Sequence, residues 1–355
     1  MTIEHKNYDA RALLALPKVA ASSSLEKGLL SWSRPFLIDS IRSNGVDVDV
    51  TRGITSLRDI EGVATNVQRP RYDHSSNGVE IEPKGEVALN EYGVLRNILA
   101  NTALDSHVTM LNPTPVRSLI RNKYDTIEKI LRPVGALDRQ VQLFDSSAAA
   151  TEAIAAINGD AIVAKPNIGS RSQGVMVGDR RIIESQLTTM DVPYLVEEKI
   201  DFGHAFPSEL RGYDENEQRR LDEANRTGVN KELRMFYFGQ NQWESVARIA
   251  RPGETNFTDD KWLYVDDTTV PEEVRTISER VVRKLEDETG FEEMNIAVDF
   301  VYGTTDSNSE PHWQVMEVNG AEPQLVQLAQ HAEIGRTQHG KLANQIARIA
   351  LNRKT

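Results

Sequence analysis

Two apolar runs near the C-terminus each carry a carboxylate in the middle: Asn295-Ile296-Ala297-Val298-Asp299-Phe300-Val301 and Gln314-Val315-Met316-Glu317-Val318-Asn319. A carboxylate among apolar neighbours is costly unless a partner answers its charge. The pair therefore constrains the fold, because two such strands are best placed side by side with both charges at one spot. The polar stretch from Gly303 to His312 reads as the hairpin loop between them. With that loop centred on Asn308, antiparallel pairing sets Asp299 opposite Glu317. The two-residue period of a strand then puts Asn319 on the face of Glu317. Unpaired like charges this close would repel, so three converging oxygen donors predict a hard cation such as Mg²⁺. The alternative stays open beside it: one carboxylate paired with an arginine, the other at a strand end.

A second constraint lies upstream. Ala161 to Lys165 reads as a strand that delivers Lys165 into Pro166-Asn167-Ile168-Gly169-Ser170-Arg171-Ser172-Gln173-Gly174, and Val175 to Val177 leaves it as another strand. Backbone N–H groups and hydroxyls of such a loop can wrap phosphates while the lysine supplies a point charge. It is not a Walker A loop, which needs GxxxxGK[ST] ahead of a helix. An exposed hairpin tip is the competing reading.

Elsewhere the chain alternates helical and strand periodicity without repeats. Pro35 to Arg42 has helical spacing, and after the turn Ser43-Asn44-Gly45 the strict alternation Val46-Asp47-Val48-Asp49-Val50 predicts a strand. A helix over Glu91 to Ala103 and a short strand at His107 to Leu111 complete a small α/β unit that has no GxGxxG. Prolines 113 and 115 make a rigid, extended connection, and the domain boundary is placed there. Beyond it the pattern predicts helices over Val116 to Leu131, Ala148 to Ile157 capped by Ser146, Pro271 to Glu288 and Lys341 to Leu351. Further strands are predicted at Tyr194 to Ile200, Glu232 to Phe238 and Glu244 to Ile249.

Charge and composition exclude several classes. With 41 Lys+Arg against 53 Asp+Glu the formal net charge is -12, which disfavours duplex nucleic acid or an anionic membrane as the main partner. There is no cysteine, which removes disulfides, thiolate metal sites and a Cys nucleophile together. The apolar stretch Ala12 to Leu16, preceded by Asp9, is too short for a secretory leader, so a cytoplasmic protein is expected.

Lys123, Lys165, the GSRSQG loop, Val196-Glu197-Glu198-Lys199-Ile200, Ala297-Val298-Asp299-Phe300 and Met316-Glu317-Val318-Asn319, taken in this order, resemble the ATP-grasp superfamily. The resemblance runs from about Asn112 to the C-terminus and is to the glutathione-synthetase-like carboxylate-amine ligase branch. It implies an α/β (α+β) fold: a small N-terminal α/β domain over 1–112, a first lobe with phosphate loop and hinge over 113–200, and a second lobe with the metal strands over 201–355, built on antiparallel sheets. It implies ATP with Mg²⁺ or Mn²⁺ held by Asp299, Glu317 and Asn319. Lys123, Lys165, Ser170 and Arg171 would contact phosphates, while Glu197, Glu198 and Ile200 would line the adenine edge. Arg234, Arg248 and Lys165 would act on the transferring γ-phosphate or a substrate carboxylate, since a guanidinium binds such oxygens bidentately. Arg251 is a weaker candidate for the same task. The implied reaction joins a small-molecule or peptide carboxylate, activated as an acyl phosphate, to an amine, with no nucleic acid or membrane partner and room for a homo-oligomer. A kinase on the same scaffold and a non-catalytic ATP-binding regulator are the alternatives.

Two segments depart from the pattern. Asp201 to Lys231 is longer than the family's connection and highly charged, which predicts a solvated helical insertion or flap, with a substrate-recognition lid as the other reading, and leaves His204 and Glu209 as guesses for a ribose contact. After Asn319, Gly320-Ala321-Glu322-Pro323-Gln324 replaces a glycine-rich acceptor loop, and Glu322 could bind a substrate amine. His331 and His339 have no HExxH spacing and make no zinc motif.

Overall fold

The computed structural model describes residues 10–16, 39–52, 71–73, 78–80, 86–90, 109–112, 114–144, 146–168, 174–187, 193–250, 262–305, 309–320 and 340–349. The first sheet joins β1 (Ala10–Leu16), β2 (Val46–Arg52), β5 (Glu86–Asn90) and β6 (Thr109–Leu111) in the order β2-β1-β5-β6, all parallel. A short antiparallel hairpin, β3 (Arg71–Asp73) and β4 (Gly78–Glu80), stands apart from it. The alternating 46–50 segment is a strand as expected. Ala10–Leu16 is a strand that was not expected, for it carries no alternation at all. Inner strands of parallel sheets are covered on both faces and read as continuous apolar runs, so period two gives no signal there. The helix expected over 91–103 lies outside the described residues.

The second sheet is antiparallel, in the order β7-β10-β8-β9, from β7 (Val141–Phe144), β8 (Ala161–Pro166), β9 (Met176–Asp179) and β10 (Tyr194–Glu198). Helices Ser147–Ala155 and Arg180–Leu187 cover it through Ala150, Ile154, Ile183 and Leu187. The third sheet, also antiparallel, has the order β13-β12-β11-β14-β15, with β11 (Lys231–Tyr237), β12 (Trp243–Ile249), β13 (Trp262–Tyr264), β14 (Ile296–Gly303) and β15 (His312–Gly320). Helix Glu272–Thr289 packs Val274, Val281 and Leu285 into the main core, and helix 340–349 buries Leu342, Ile346 and Ile349. A parallel N-terminal sheet followed by two antiparallel ones is the α+β architecture expected. No helix among the described residues is long and apolar enough to cross a membrane.

One expected helix is broken, with consequences for the site. Residues 116–131 do not run continuously: helix Thr114–Arg121 stops, Asn122 adopts extended dihedrals (φ -84, ψ 99), and a new helix starts at Lys123 and passes into π-type turns over Ile127–Leu131. The Asn122 side chain caps the new helix by accepting from the Asp125 N–H at 3.0 Å. Helical periodicity cannot register such a break, because the apolar face continues in phase across it.

The second and third sheets meet where the chain leaves β10. Asp201 forms an isolated bridge with Thr304, exchanging N–H···O bonds of 2.8 and 3.0 Å just past the end of β14. Gly303 makes the crossing feasible, since a Cβ there would be driven into the Asp201 carbonyl. The 201–231 insertion contains helix Glu215–Thr227, capped by Asp214 and closed by Gly228 in the left-handed region. It is helical as expected but docked, with Leu221 and Ala224 buried and Glu217 accepting the Tyr264 N–H at 3.1 Å.

At the base of the insertion Lys231 is fully buried, its Nζ donating to the Val229 carbonyl at 2.9 Å and lying 5.7 Å from the Phe206 ring centroid. Burial pushes this ammonium down from 10.5 to about 8. Between those values the unfolded chain keeps a proton that the native state has released, so stability rises with pH across that window. Urea midpoints of the wild-type chain are expected to rise from pH ~8 to pH ~10 relative to Lys231→Met, whose midpoint lacks this increment. Parallel curves for the two chains would contradict a desolvated Lys231.

Candidate active site

Four strands of the third sheet build one charged face. Pairing sets Glu232 of β11 opposite Arg248 of β12, Arg234 opposite Asp299 of β14, and Asp299 opposite Glu317 of β15. Because side chains alternate, Glu232 and Arg234 share a face, as do Glu317 and Asn319. Arg234 grips Asp299 with a bidentate fork, Nε to Oδ1 and Nη2 to Oδ2 both at 2.6 Å, and Asp299 is 0% exposed. Arg248 Nη1 lies 2.7 Å from Glu232 Oε1, which Arg234 Nη2 approaches at 3.5 Å. Both guanidinium carbons sit over the Trp262 ring, at 5.6 Å for Arg234 and 5.4 Å for Arg248. That aromatic floor favours the cations and fixes their planes.

Asn319 joins the two carboxylates, its Nδ2 donating to Asp299 Oδ2 at 2.8 Å and to Glu317 Oε1 at 2.9 Å. Burial pushes the Glu317 carboxyl up, but the Asn319 hydrogen bond and the charges of Lys165, Arg234 and Lys123 outweigh it and hold it below its ordinary value. Glu232 goes the other way: burial and the Asp299 charge lift it to about 7, against the pull of Arg248 and Arg234.

The second sheet supplies Lys165, and the helix beside it supplies Lys123. Lys165 Nζ lies 2.7 Å from Glu197 Oε1, and Arg139 Nε lies 3.1 Å from Glu197 Oε2. Burial would raise the Glu197 carboxyl, yet Lys165 and Arg139 keep it below its ordinary value. Lys123 is placed by the helix break: its N–H donates to the Asn167 carbonyl at 3.1 Å and the Tyr124 N–H to Asn167 Oδ1 at 2.9 Å. Asn167 follows Lys165-Pro166, so one residue locks the start of this helix to the end of β8. Burial lowers the Lys123 ammonium, Glu317 raises it, Lys165 lowers it and Glu197 raises it, and the net shift is downward. That mutual influence places both lysines in the field of Glu317.

The structure thus gathers Lys123, Lys165, Glu197, Arg234, Arg248, Asp299, Glu317 and Asn319 into one region. It commits the Glu197 carboxylate to Lys165 and Arg139. Glu198 accepts the Gln140 N–H at 2.8 Å, and Ile200 is buried beside the hinge crossing. Ser170, Arg171, Arg251, Glu322, His331 and His339 lie outside the described residues. His204 carries a buried Nε2 with no hydrogen-bond partner among the described residues, and Glu209 is exposed. Sequence reasoning missed Arg139, Glu232 and Trp262. Glu232 had a usable signal, a carboxylate before the buried run Leu233 to Tyr237, which is the argument applied to Asp299. Arg139 and Trp262 had none, since each acts across strands remote in sequence.

Whether these donors fit a divalent cation can be judged from their chemistry. Among the described residues no group of three or more His, Cys, Asp or Glu side chains could hold a metal, so a cation here needs the Asn319 amide oxygen as its third donor. The Asn319 Nδ2 reaches both carboxylates, so the three side chains lie within one small ligand's span, and half a turn of the amide would bring its oxygen to the same spot. Carboxylate and amide oxygens are what Mg²⁺ or Mn²⁺ prefers. The set fits.

No family model and no curated protein matches this sequence. Solved structures do match its fold over nearly the whole chain. D-cycloserine synthetase DcsG aligns with a TM-score of 0.59 at 16% identity, covering 95% of this chain and 99% of its own. The D-alanine–D-alanine ligase from Bacillus anthracis complexed with ATP gives 0.55 at 16% identity, covering 98% and 99%. A RimK domain ATP-grasp protein from Sphaerobacter thermophilus gives 0.50 at 13%, covering 96% and 99%. The chain has the ATP-grasp fold.

Proposed function

We propose that this protein is an ATP-dependent carboxylate-amine ligase. The observation that carries the reading is the convergence of Lys165 from the second sheet and Lys123 from the helix tied to the end of β8 with Asp299, Glu317 and Asn319 from the third sheet. Two fold relatives support it by what they are, a D-cycloserine synthetase and a D-alanine–D-alanine ligase complexed with ATP. Lys123 and Lys165 take the phosphates, joined by the Ser170–Arg171 loop, and the chain from Glu198 to Ile200 lies along the adenine edge. Arg234 and Arg248, stacked on Trp262, face the transferring γ-phosphate and the substrate carboxylate. Arg234 already has Nε and Nη2 on Asp299, so it would offer the oxygens of these groups its Nη1 edge, while Arg248 would offer its guanidinium. Asp299, Glu317 and Asn319 would hold Mg²⁺, which when bound screens phosphate charge.

The chemistry runs in two displacements. The substrate carboxylate attacks the γ-phosphorus, the bond to the β-phosphate bridging oxygen breaks, and ADP leaves with the displaced electron pair. The amine then attacks the acyl phosphate carbon, inorganic phosphate leaves with the electron pair of the broken C–O bond, and the proton the amine gives up goes to the departing phosphate or to water as the amide forms. Neither displacement needs a side-chain nucleophile, in keeping with a chain that has no cysteine. The lysines and arginines absorb charge as it spreads over the transferring group.

The test is phosphate release from ATP and Mg²⁺ with pooled amino acids and peptides, followed by mass spectrometry. Amide products with ADP support the ligase. A phosphorylated small molecule would make it a kinase instead, and nucleotide binding with no ADP formed would leave a non-catalytic regulator.

A further inference from the structure

Arg139 lies between the helical segment Ile127–Leu131 and β7, and only 2% of it is exposed. Its Nε donates to Glu197 Oε2 at 3.1 Å, Nη1 to the Val315 carbonyl at 2.8 Å and Nη2 to the Met316 carbonyl at 3.0 Å. Those carbonyls belong to a β-bulge. Asp299 pairs with Glu317 but Phe300 pairs with Val315, so Met316 is an extra residue immediately before Glu317. A bulge leaves backbone groups out of the ladder, and a planar fork is the side chain best shaped to take two successive carbonyls.

Charge balance alone does not account for Arg139. Glu197 Oε1 is already paired with Lys165 Nζ at 2.7 Å, so one cation answers the carboxylate before Arg139 is counted. What Arg139 adds is a mechanical link. From Glu317 the path runs through the Met316 carbonyl, Arg139 and Glu197 to Lys165, crossing from the third sheet to the second. The backbone runs a second tie beside it, with the Val315 N–H donating to the Ala136 carbonyl at 3.4 Å.

Resting on the ligase reading, we propose that Arg139 is a positioning residue that sets the spacing between Lys165 and Glu317, gripping Glu197 on one side and the β15 bulge on the other. Lys165 and Glu317 sit on different sheets, and phosphoryl transfer tolerates little error in such a spacing. Arg139 touches no reacting atom and acts through Glu197 and Lys165.

The experiment measures binding of a non-hydrolysable ATP analogue by calorimetry to the full chain, to Arg139→Met, to Lys165→Met and to the double variant, with thermal melts alongside. Arg139→Met is expected to weaken the analogue about tenfold, and the double variant to bind no more weakly than Lys165→Met alone. That non-additivity identifies a residue working through Lys165, which a general loss of packing would not produce. Arg139→Lys keeps a cation beside Glu197 but cannot fork to two carbonyls. It should fall between wild type and Arg139→Met, and it carries the same cycle if the methionine variant does not fold. Wild-type affinity in the Arg139 variants, or single effects that multiply in the double variant, would overturn the proposal and leave the ligase reading standing. No analogue binding by wild type, or equal binding by Lys165→Met, would remove the ligase reading and this inference together.

Discussion

Glu317→Gln is expected to lower ATP turnover by about 10³-fold or more while the chain still folds. The substitution keeps the shape and the oxygen that accepts from Asn319 and removes only the charge. That charge is what Lys165, Arg234 and Lys123 hold in its ionised form. Its loss leaves the phosphate region with a surplus of cations and the Asp299–Asn319 pair without its second carboxylate. Stability should change by no more than about 1 kcal/mol, because relief of the repulsion between two facing like charges offsets the weaker attraction to the lysines. Phosphate release and urea denaturation, measured on the same preparation, separate the two effects. Undiminished turnover would sink the assignment of Glu317 to the reacting centre.

Arg234→Met should destabilise the fold by about 3–5 kcal/mol, the penalty for leaving a buried charge without its partner. Asp299 is 0% exposed and has both oxygens in the Arg234 fork, with Glu232 and Glu317 nearby to worsen any unpaired charge. Much of the loss should return in Arg234→Met/Asp299→Asn, where no carboxylate is left to answer. Denaturant titration of the single and double variants gives the coupling energy directly. A single variant within about 1 kcal/mol of wild type would mean that water or another group compensates Asp299. Of two facing carboxylates, then, one is held by an arginine inside the sheet and the other looks toward the lysines.

That contrast also marks what the sequence could reveal. The facing of Asp299 and Glu317 was expected from a loop centred on Asn308, but next to the loop Gly303 pairs with His312 and Phe300 with Val315, one residue out of that register, and only the bulge at Met316 brings Glu317 opposite Asp299. The arginine raised as the alternative does sit on Asp299. The bulge was not legible, since the extra residue Met316 is as apolar as its neighbours and shifts only the half of the hairpin nearer the tip. The Asn122 break was hidden by an apolar face that stays in phase, although Asn122 itself is a good cap. Edge strand β13 was missed because Trp262 to Tyr264 is too short to show any period. Arg139 could not have been found, since its partners lie 58 to 177 residues away.

The docked insertion closes an edge of the third sheet. Beyond β13 the third sheet would end in a row of unpaired backbone groups flanked by Trp262, Leu263 and Tyr264, all buried. Residues 211–213 cover that row: Gly212 bridges to Val265, the Tyr213 N–H donates to the Tyr264 carbonyl at 2.9 Å, and Arg220 reaches the Trp262 carbonyl at 2.7 Å. An open apolar edge invites pairing with another chain. Residues 211–213, with Arg220 of the charged helix, thus close this edge, and trimming the insertion to a short connection would expose the border of the same sheet that holds Arg234 and Arg248.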